Sequence, residues 1–280
     1  MSDSKIIEEL SEGNLVLIHA ENGNFIPMLR IKKFLLSEID ITLSATPYPA
    51  FVVDGQVVDE IYISQYMYPC TSRSQAHSEI SLDDARIRAN GFGSKFHLLT
   101  AWEWGAYMWS VKKYWGKERG PISEENPVVN GSGSFFWRMP NLWWGAWGTT
   151  GNLYEFCDGL QLRDGDLYGP LQNNISRMNT SDSLNTTHWP QIGSVQPHAN
   201  EEFETSPVFG NAPQQMLLNG ALLQDYPLGQ TFANEDTDAL VLERGGAYHS
   251  GNEAGLGAFR FTASATAVRN DAGFRVAYVK

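Results

Sequence analysis

Apolar and polar residues alternate twice near the start of the chain, and the period of two predicts paired strands. Residues 15–20 (LVLIHA) and 25–36 (FIPMLRIKKFLL) flank Glu21-Asn22-Gly23-Asn24, whose Asn-Gly step suits a tight turn, so a hairpin is expected. After Pro47 and Pro49, residues 50–53 (AFVV) and 60–68 (EIYISQYMY) flank Val53-Asp54-Gly55-Gln56 and predict a second hairpin. The lead IIEEL (6–10) reads as a short amphipathic segment. Ser81 stands three residues before Asp84 and caps a short helix over 81–89. Thr100 and Glu103 form a T-x-x-E capping box that opens a longer helix, in which Trp102, Ala106 and Trp109 share an inward face and which Gly116 ends.

From Gly120 to Asn234 the chain is rich in Gly, Pro, Asn, Ser and Trp, and periodic runs are short, so loops and short strands are expected. Strand patterns return at 239–243 (ALVLE), 258–263 (AFRFTA) and 274–279 (FRVAYV). No internal repeat of domain-building length is visible.

Composition narrows the class. A chain of 280 residues, 42% hydrophobic and 12% aromatic with only 2 Cys, is globular and large enough to build a core without disulfide staples. Cys70 and Cys157 could form one bridge, but two buried thiols are the favoured reading. The acidic start MSDSKIIEELSEGN lacks the basic opening and apolar run of a secretory signal. The longest charge-free stretch, Thr205–Gln224, carries prolines and amides that exclude a membrane span. A formal net charge of -12 opposes phosphate backbones and argues against nucleic-acid binding. The last 37 residues differ: Arg244, Arg260, Arg269, Arg275 and Lys280 outnumber Glu253 and Asp271 there. Arg244 and Arg275 are expected as buried ion-pair partners.

Familiar catalytic signatures are missing. No two histidines have metal-ligand spacing, there is no C-x-x-C, nucleophile elbow or P-loop, and Gly91-Phe92-Gly93 is read as a linker turn. Asp158, Asp164 and Asp166 could hold calcium or magnesium in a loop, yet their spacing fits no cation motif, and solvated loop acids are expected; no cofactor is assigned. Four tryptophans within residues 137–147 are read as packing under long connections, with Trp143, Trp144 and Trp147 as a secondary candidate for edging a ligand site.

An ordered set of short motifs does stand out. Residues 93–104 (GSKFHLLTAWEW) resemble the H-L-x-T-x-x-E-W element of C-type-lectin-type domains in the sulfatase-modifying-factor branch. Gly151-Asn152-Leu153-Tyr154-Glu155-Phe156 is similar to that branch's G-N-V-W-E-W. Arg244-Gly245-Gly246-Ala247-Tyr248 and Gly273-Phe274-Arg275 are similar to its R-G-G-S-W and G-F-R. Upstream, residues 25–34 and 57–66 resemble elements that precede this fold in the variable proteins of diversity-generating retroelements, and residues 151–169 resemble those proteins' G-L-V-W-E-W-x-D-G-L-x-L-x-D-G. The last is the closer match, and the resemblance then spans almost the whole chain, weakest at 120–140 and 170–235.

The resemblance implies an α+β, C-type-lectin-type fold of short mixed strands, two helices and long loops. A β-rich segment over 1–80 would pack on a main domain over 81–280. It further implies a non-enzymatic binder whose segment 247–272 is diversified by adenine-directed mutagenesis and displayed on a rigid frame. Asn codons altered only at adenine cannot give Lys, Gln, Met, Trp or Glu. Between Gly245 and Arg275 there is no Lys, Gln, Met or Trp; Glu253 departs from the rule. The candidate ligand-binding residues are Ala247, Tyr248, His249, Ser250, Asn252, Glu253, Gly257, Arg260, Thr262, Ala265, Thr266, Arg269, Asn270 and Asp271. Tyr248, His249, Arg260 and Arg269 are expected as anchors, with Ser250, Asn252, Thr262, Thr266 and Asn270 as adaptable hydrogen-bonding groups. Glu103, Glu155, Arg244, Gly245, Gly246, Gly273, Phe274 and Arg275 are expected as scaffold. The partner would be a protein or glycan on a cell surface, met from a phage tail tip or adhesin, and related binders are often trimers, so a homo-oligomer is compatible with the reading. The alternative is a sulfatase-modifying-factor-like oxidative enzyme, which would need a reactive cysteine pair or a three-histidine iron site.

Overall fold

The computed structural model describes residues 3–111, 120–133, 138–139, 142–178, 189–194, 208–209, 231–233 and 239–280. The helix end expected at Gly116, Trp137 and most of Thr205–Gln224 lie outside them.

Helix α1 (Asp3–Leu10) leads into strands β1 (Leu15–His19) and β2 (Phe25–Lys32), which pair antiparallel as the first hairpin predicts. Helix α2 (Leu36–Ile39) and a one-turn 3-10 helix at Pro49–Phe51 precede β3 (Val52–Val53) and β4 (Gln56–Val57). Here the second hairpin needs correction. β3 and β4 pair with each other across the Asp-Gly turn, and β5 (Glu60–Ser64) instead joins β2 in the main sheet. The alternation in EIYIS was a true strand signal, but the partner lay across the sheet rather than across the Asp-Gly turn.

Next come α3 (Leu82–Asn90), β6 (Phe96–Leu98) and α4 (Ala101–Val111), then β7 (Arg138–Met139), β8 (Ala146–Trp147), β9 (Tyr154–Arg163), β10 (Asp166–Tyr168) and α5 (Ile175–Met178). Short strands β11 (Gln191–Ser194), β12 (Val208–Phe209) and β13 (Thr231–Ala233) follow, and the chain ends with β14 (Leu240–Gly245), β15 (Gly255–Phe261), β16 (Ala272–Phe274) and β17 (Val276–Tyr278). The architecture is mixed α and β, dominated by strands with a few short helices.

Both predicted caps are present. The Ser81 hydroxyl accepts from the Asp84 amide at 3.1 Å. The Glu103 amide donates to Thr100 Oγ1 at 3.2 Å, and the Thr100 amide donates back to Glu103 Oε2 at 3.0 Å, satisfying two helix-end donors reciprocally. Every residue of α4 from Ala101 to Met108 is buried, as suits a helix apolar on all sides.

One five-stranded sheet runs β1-β2-β5-β17-β6, so strands from both ends of the chain share it. A larger sheet runs β12-β11-β10-β9-β14-β15-β13, with β16 beside β9 in parallel. Alternate residues of β2 serve opposite faces: Leu29 and Ile31 pack toward α4, Ile26 and Met28 toward α3. The longest strand, β9, was expected as part of a loop-rich stretch; it is buried from Tyr154 to Leu162, polar residues included.

The carboxyl terminus changes sheets. β16 belongs to the larger sheet and β17 to the smaller, and Arg275 is the one residue between them. Its buried guanidinium donates to Glu155 Oε1 and Oε2 at 2.7 and 3.0 Å, to the Ser64 carbonyl at 2.8 Å and to the Trp147 carbonyl at 3.0 Å. One planar cation thus ties β5, β8 and β9 to the crossing point, a task its fork of donors fits.

Candidate functional surface at the carboxyl end

β14 carries the chain to the surface. Gly245 and Gly246 lie at φ of +87 and +84°, where a side chain is strained, and a Cβ on Gly245 would sit 2.7 Å from the Thr149 carbonyl oxygen. The turn that follows is pinned on all sides. The Tyr248 amide donates to the Asn152 carbonyl at 2.9 Å, the Tyr248 carbonyl accepts from the Glu124 amide at 3.3 Å, and the Gly251 amide donates to the Ile122 carbonyl at 2.9 Å. A one-turn 3-10 helix at Gly251–Glu253 closes it.

β15 returns antiparallel to β14 with Glu243 opposite Arg260. The loop after it is fastened too: Arg269 and Ile80 exchange backbone bonds at 2.9 and 3.2 Å, the Ala265 carbonyl accepts from the Asp83 amide at 3.2 Å, and the Asp271 carbonyl accepts from the Tyr154 amide at 2.9 Å. Backbone held by ladders and bridges loses little freedom when a partner docks.

The fourteen candidate positions separate into two kinds. His249, Asn252, Glu253, Thr266 and Asn270 are exposed, and Tyr248, Thr262 and Arg269 are partly exposed. They form two rims, the turn 248–253 and the stretch 262–270. Ala247, Ser250, Gly257, Arg260, Ala265 and Asp271 are buried, which corrects their expected place on the contact surface. Strand β15, which links the two rims in sequence, is buried throughout.

Arg260 is the clearest correction. Rather than an anchor for a partner, it is committed inside: Nε and Nη2 donate to Glu243 at 2.7 and 3.1 Å, and Nη1 and Nη2 donate to Asp271 at 2.8 Å each. The guanidinium lies 3.6 Å from the Tyr154 ring centroid, a stacking contact of the kind arginine favours. Burial opposes its charge, yet the two carboxylates hold its pKa above the ordinary value. Asp271 is held below the usual carboxyl range: burial alone would raise it, and the Arg260 hydrogen bonds with the charges of Arg260, Arg269 and His249 outweigh that.

The eight scaffold candidates are all buried. Glu103 accepts from Asn173 Nδ2 at 3.1 Å and lies 2.8 Å from His97 Nε2, and Glu155 pairs with Arg275. Phe274 stacks on Tyr68 at 4.7 Å. Arg244 is buried as expected; it donates to the Leu256 carbonyl at 2.9 Å, contacts the Met108 sulfur at 3.2 Å, and faces the Trp104 and Phe259 rings. Burial brings its pKa down to about 10.

Other candidate chemistry is spoken for. Asp158, expected as a solvated loop acid, is buried and takes Arg86 at 2.5 and 2.8 Å. Asp164 is exposed in the β9–β10 turn, and Asp166 accepts from Gln191 at 2.7 Å. Among the described residues no group of three metal-ligating side chains converges. Cys70 and Cys157 are free and buried, with burial pushing the Cys70 thiol up to about 12 and the Cys157 thiol well above its usual value. Trp147 is core, Trp144 packs against the core, and Trp143 is exposed.

Two features escaped sequence reasoning. Ser123–Asn126, exposed beside the turn, gave no periodic signal within a loop-rich stretch. Glu243 ended an apolar strand pattern, where a lone polar residue marks a partner whose identity needs the pairing, and Tyr154 lay in a stretch expected to be loop-rich.

No protein-family model matches the chain, and no curated protein matches it. Among solved structures it is similar to Treponema denticola variable protein 1, with 11% identity and a TM-score of 0.44 over 91% of this chain and 96% of that one. It is also similar to the U1 and M1 variants of Major Tropism Determinant, with 10% and 13% identity and TM-scores of 0.36, over 95% of this chain and 52% of theirs. The first is by name a variable protein. Likenesses this distant leave the site to be read from the chain's own geometry.

Proposed function

We propose that this chain is a non-enzymatic binding protein of C-type-lectin type, a variable protein that grips a macromolecule on a cell or particle surface with the two carboxyl-terminal rims. The observation that carries the reading is the division within 247–272: polar side chains of mixed chemistry face outward from a backbone fastened to buried strands. Tyr248, His249 and Arg269 are the anchors, and Asn252, Thr262, Thr266 and Asn270 the adaptable contacts, a blend suited to changeable recognition. Arg260 and Asp271 belong to the frame. A protein or glycan at a cell surface is the partner class, and tail-tip or adhesin display is the setting.

The oxidative-enzyme alternative asks for a reactive cysteine pair or a three-histidine iron site; both thiols here are buried with raised pKa values, and among the described residues no three metal-ligating side chains converge. Sequencing the locus in natural isolates tests the binding reading. Copies should differ at codons 248, 249, 252, 262, 266, 269 and 270 while 243, 260 and 271 stay fixed, beside a near-identical template differing at adenines and a reverse-transcriptase gene. Variation spread evenly over 247–272, or no template, would overturn it.

A further inference from the structure

In sequence the two rims are separated by a buried strand, yet one carboxylate reaches both. Asp271 Oδ2 accepts from Arg260 Nη1 at 2.8 Å and lies 3.5 Å from His249 Nε2, on the first rim. Asp271 Oδ1 accepts from Arg260 Nη2 at 2.8 Å and lies 3.4 Å from Arg269 Nη2, on the second. Arg260 is held from behind by Glu243, which also lies 3.6 Å from Arg269 Nε and accepts from Thr262 Oγ1 at 3.4 Å. Tyr154 on β9 stacks against Arg260, and Tyr248 meets the His249 ring edge-on at 4.8 Å. Glu253, Glu124 and Glu125 are the exposed acids of the same turn and its neighbouring loop.

We propose that Asp271 is a positioning residue that joins the rims into one recognition face, orienting His249 with one oxygen and Arg269 with the other while Arg260 fixes its plane. The two carboxylates balance the two guanidiniums in charge, so Arg269 is placed without leaving an uncompensated charge beneath it. A change of side chain at one rim is then felt at the other through a single group. Conversely, protonating Asp271 releases both cations together. The consequence for recognition rests on the binding reading above; the linkage itself does not.

The test needs no ligand. The Asp271 carboxyl carbon is followed by NMR through acid pH in the full chain, where imidazoles carry charge. His249→Gln and Arg269→Met remove one rim cation each; His249 is exposed and Arg269 partly exposed, and urea unfolding of each variant checks that the fold persists. Each substitution should raise the proton affinity of Asp271 about five- to tenfold, as a charge at that distance in a water-like medium does. Glu253→Gln should move it less than twofold. In the unsubstituted chain, the backbone amide signals of His249 and Asn270 should shift with one shared midpoint, that of Asp271. A titration unmoved by either substitution, moved by only one, or amide midpoints that differ between rims would overturn the proposal. Those results would leave the binding reading standing, since exposed rims could still bind independently; fixed codons at the rims would remove that reading while leaving the titration intact.

Discussion

Replacing Arg275 by Met is the sharpest perturbation of the frame. The side chain volume is roughly kept, but Glu155, fully buried, is left without its counter-charge, and the Ser64 and Trp147 carbonyls each lose a donor. Breaking a buried pair from one side costs about 3–5 kcal/mol. Each orphaned carbonyl adds about 1 kcal/mol or more. The sum is comparable with the roughly 5–15 kcal/mol that holds a whole domain. Urea unfolding followed by tryptophan fluorescence and circular dichroism, with coincident transitions as the check on two-state behaviour, should show R275M losing at least about 3 kcal/mol or failing to fold. The double variant E155Q/R275M should be more stable than R275M alone, because it removes the stranded charge. Loss of less than about 1 kcal/mol in R275M, or no recovery in the double variant, would refute the assignment of Arg275 as the tie between the sheets.

Further outcomes follow from the same geometry. Gly245→Ala combines a positive φ with a close carbonyl and should lower urea stability by at least about 1–3 kcal/mol. His249→Ala and Asn252→Ala, on the exposed turn, should each stay within about 0.5 kcal/mol in the same assay. Because the Asp271 carboxyl is held below its ordinary value, its stabilising contribution is present above the usual carboxyl range and is lost as pH falls through the depressed value. Stability should therefore fall between about pH 5 and pH 2, and Asp271→Asn should show a shallower fall. A thiol reagent should label neither cysteine in the folded chain and both after unfolding.

Local rules served well where local chemistry decides. The Asn-Gly turn of the first hairpin, the Ser81 cap and the Thr100–Glu103 box were legible because their partners lie within a few residues. β9 was not, because Glu155, Asp158 and Gln161 interrupt its apolar pattern while Arg275 and Arg86, remote in sequence, make the first two burials tolerable. The same reason explains why 247–272 reads as one polar patch. Arg260 looks like a surface residue until β14 and β15 are paired and Glu243 falls opposite it. Exposure of a polar residue is a property of its partners, and those of Arg260 come from β14, β9 and the residue just before β16.

The account stands or falls on tolerance at the rims and intolerance beneath them. Saturating positions 243–275 with all side chains, displaying the variants and scoring protease resistance measures this directly. The account predicts wide tolerance at His249, Asn252, Glu253, Thr266 and Asn270, and sharp loss at Glu243, Gly245, Arg260, Asp271, Phe274 and Arg275. Equal tolerance across both sets, or rims as sensitive as the buried lattice, would contradict it.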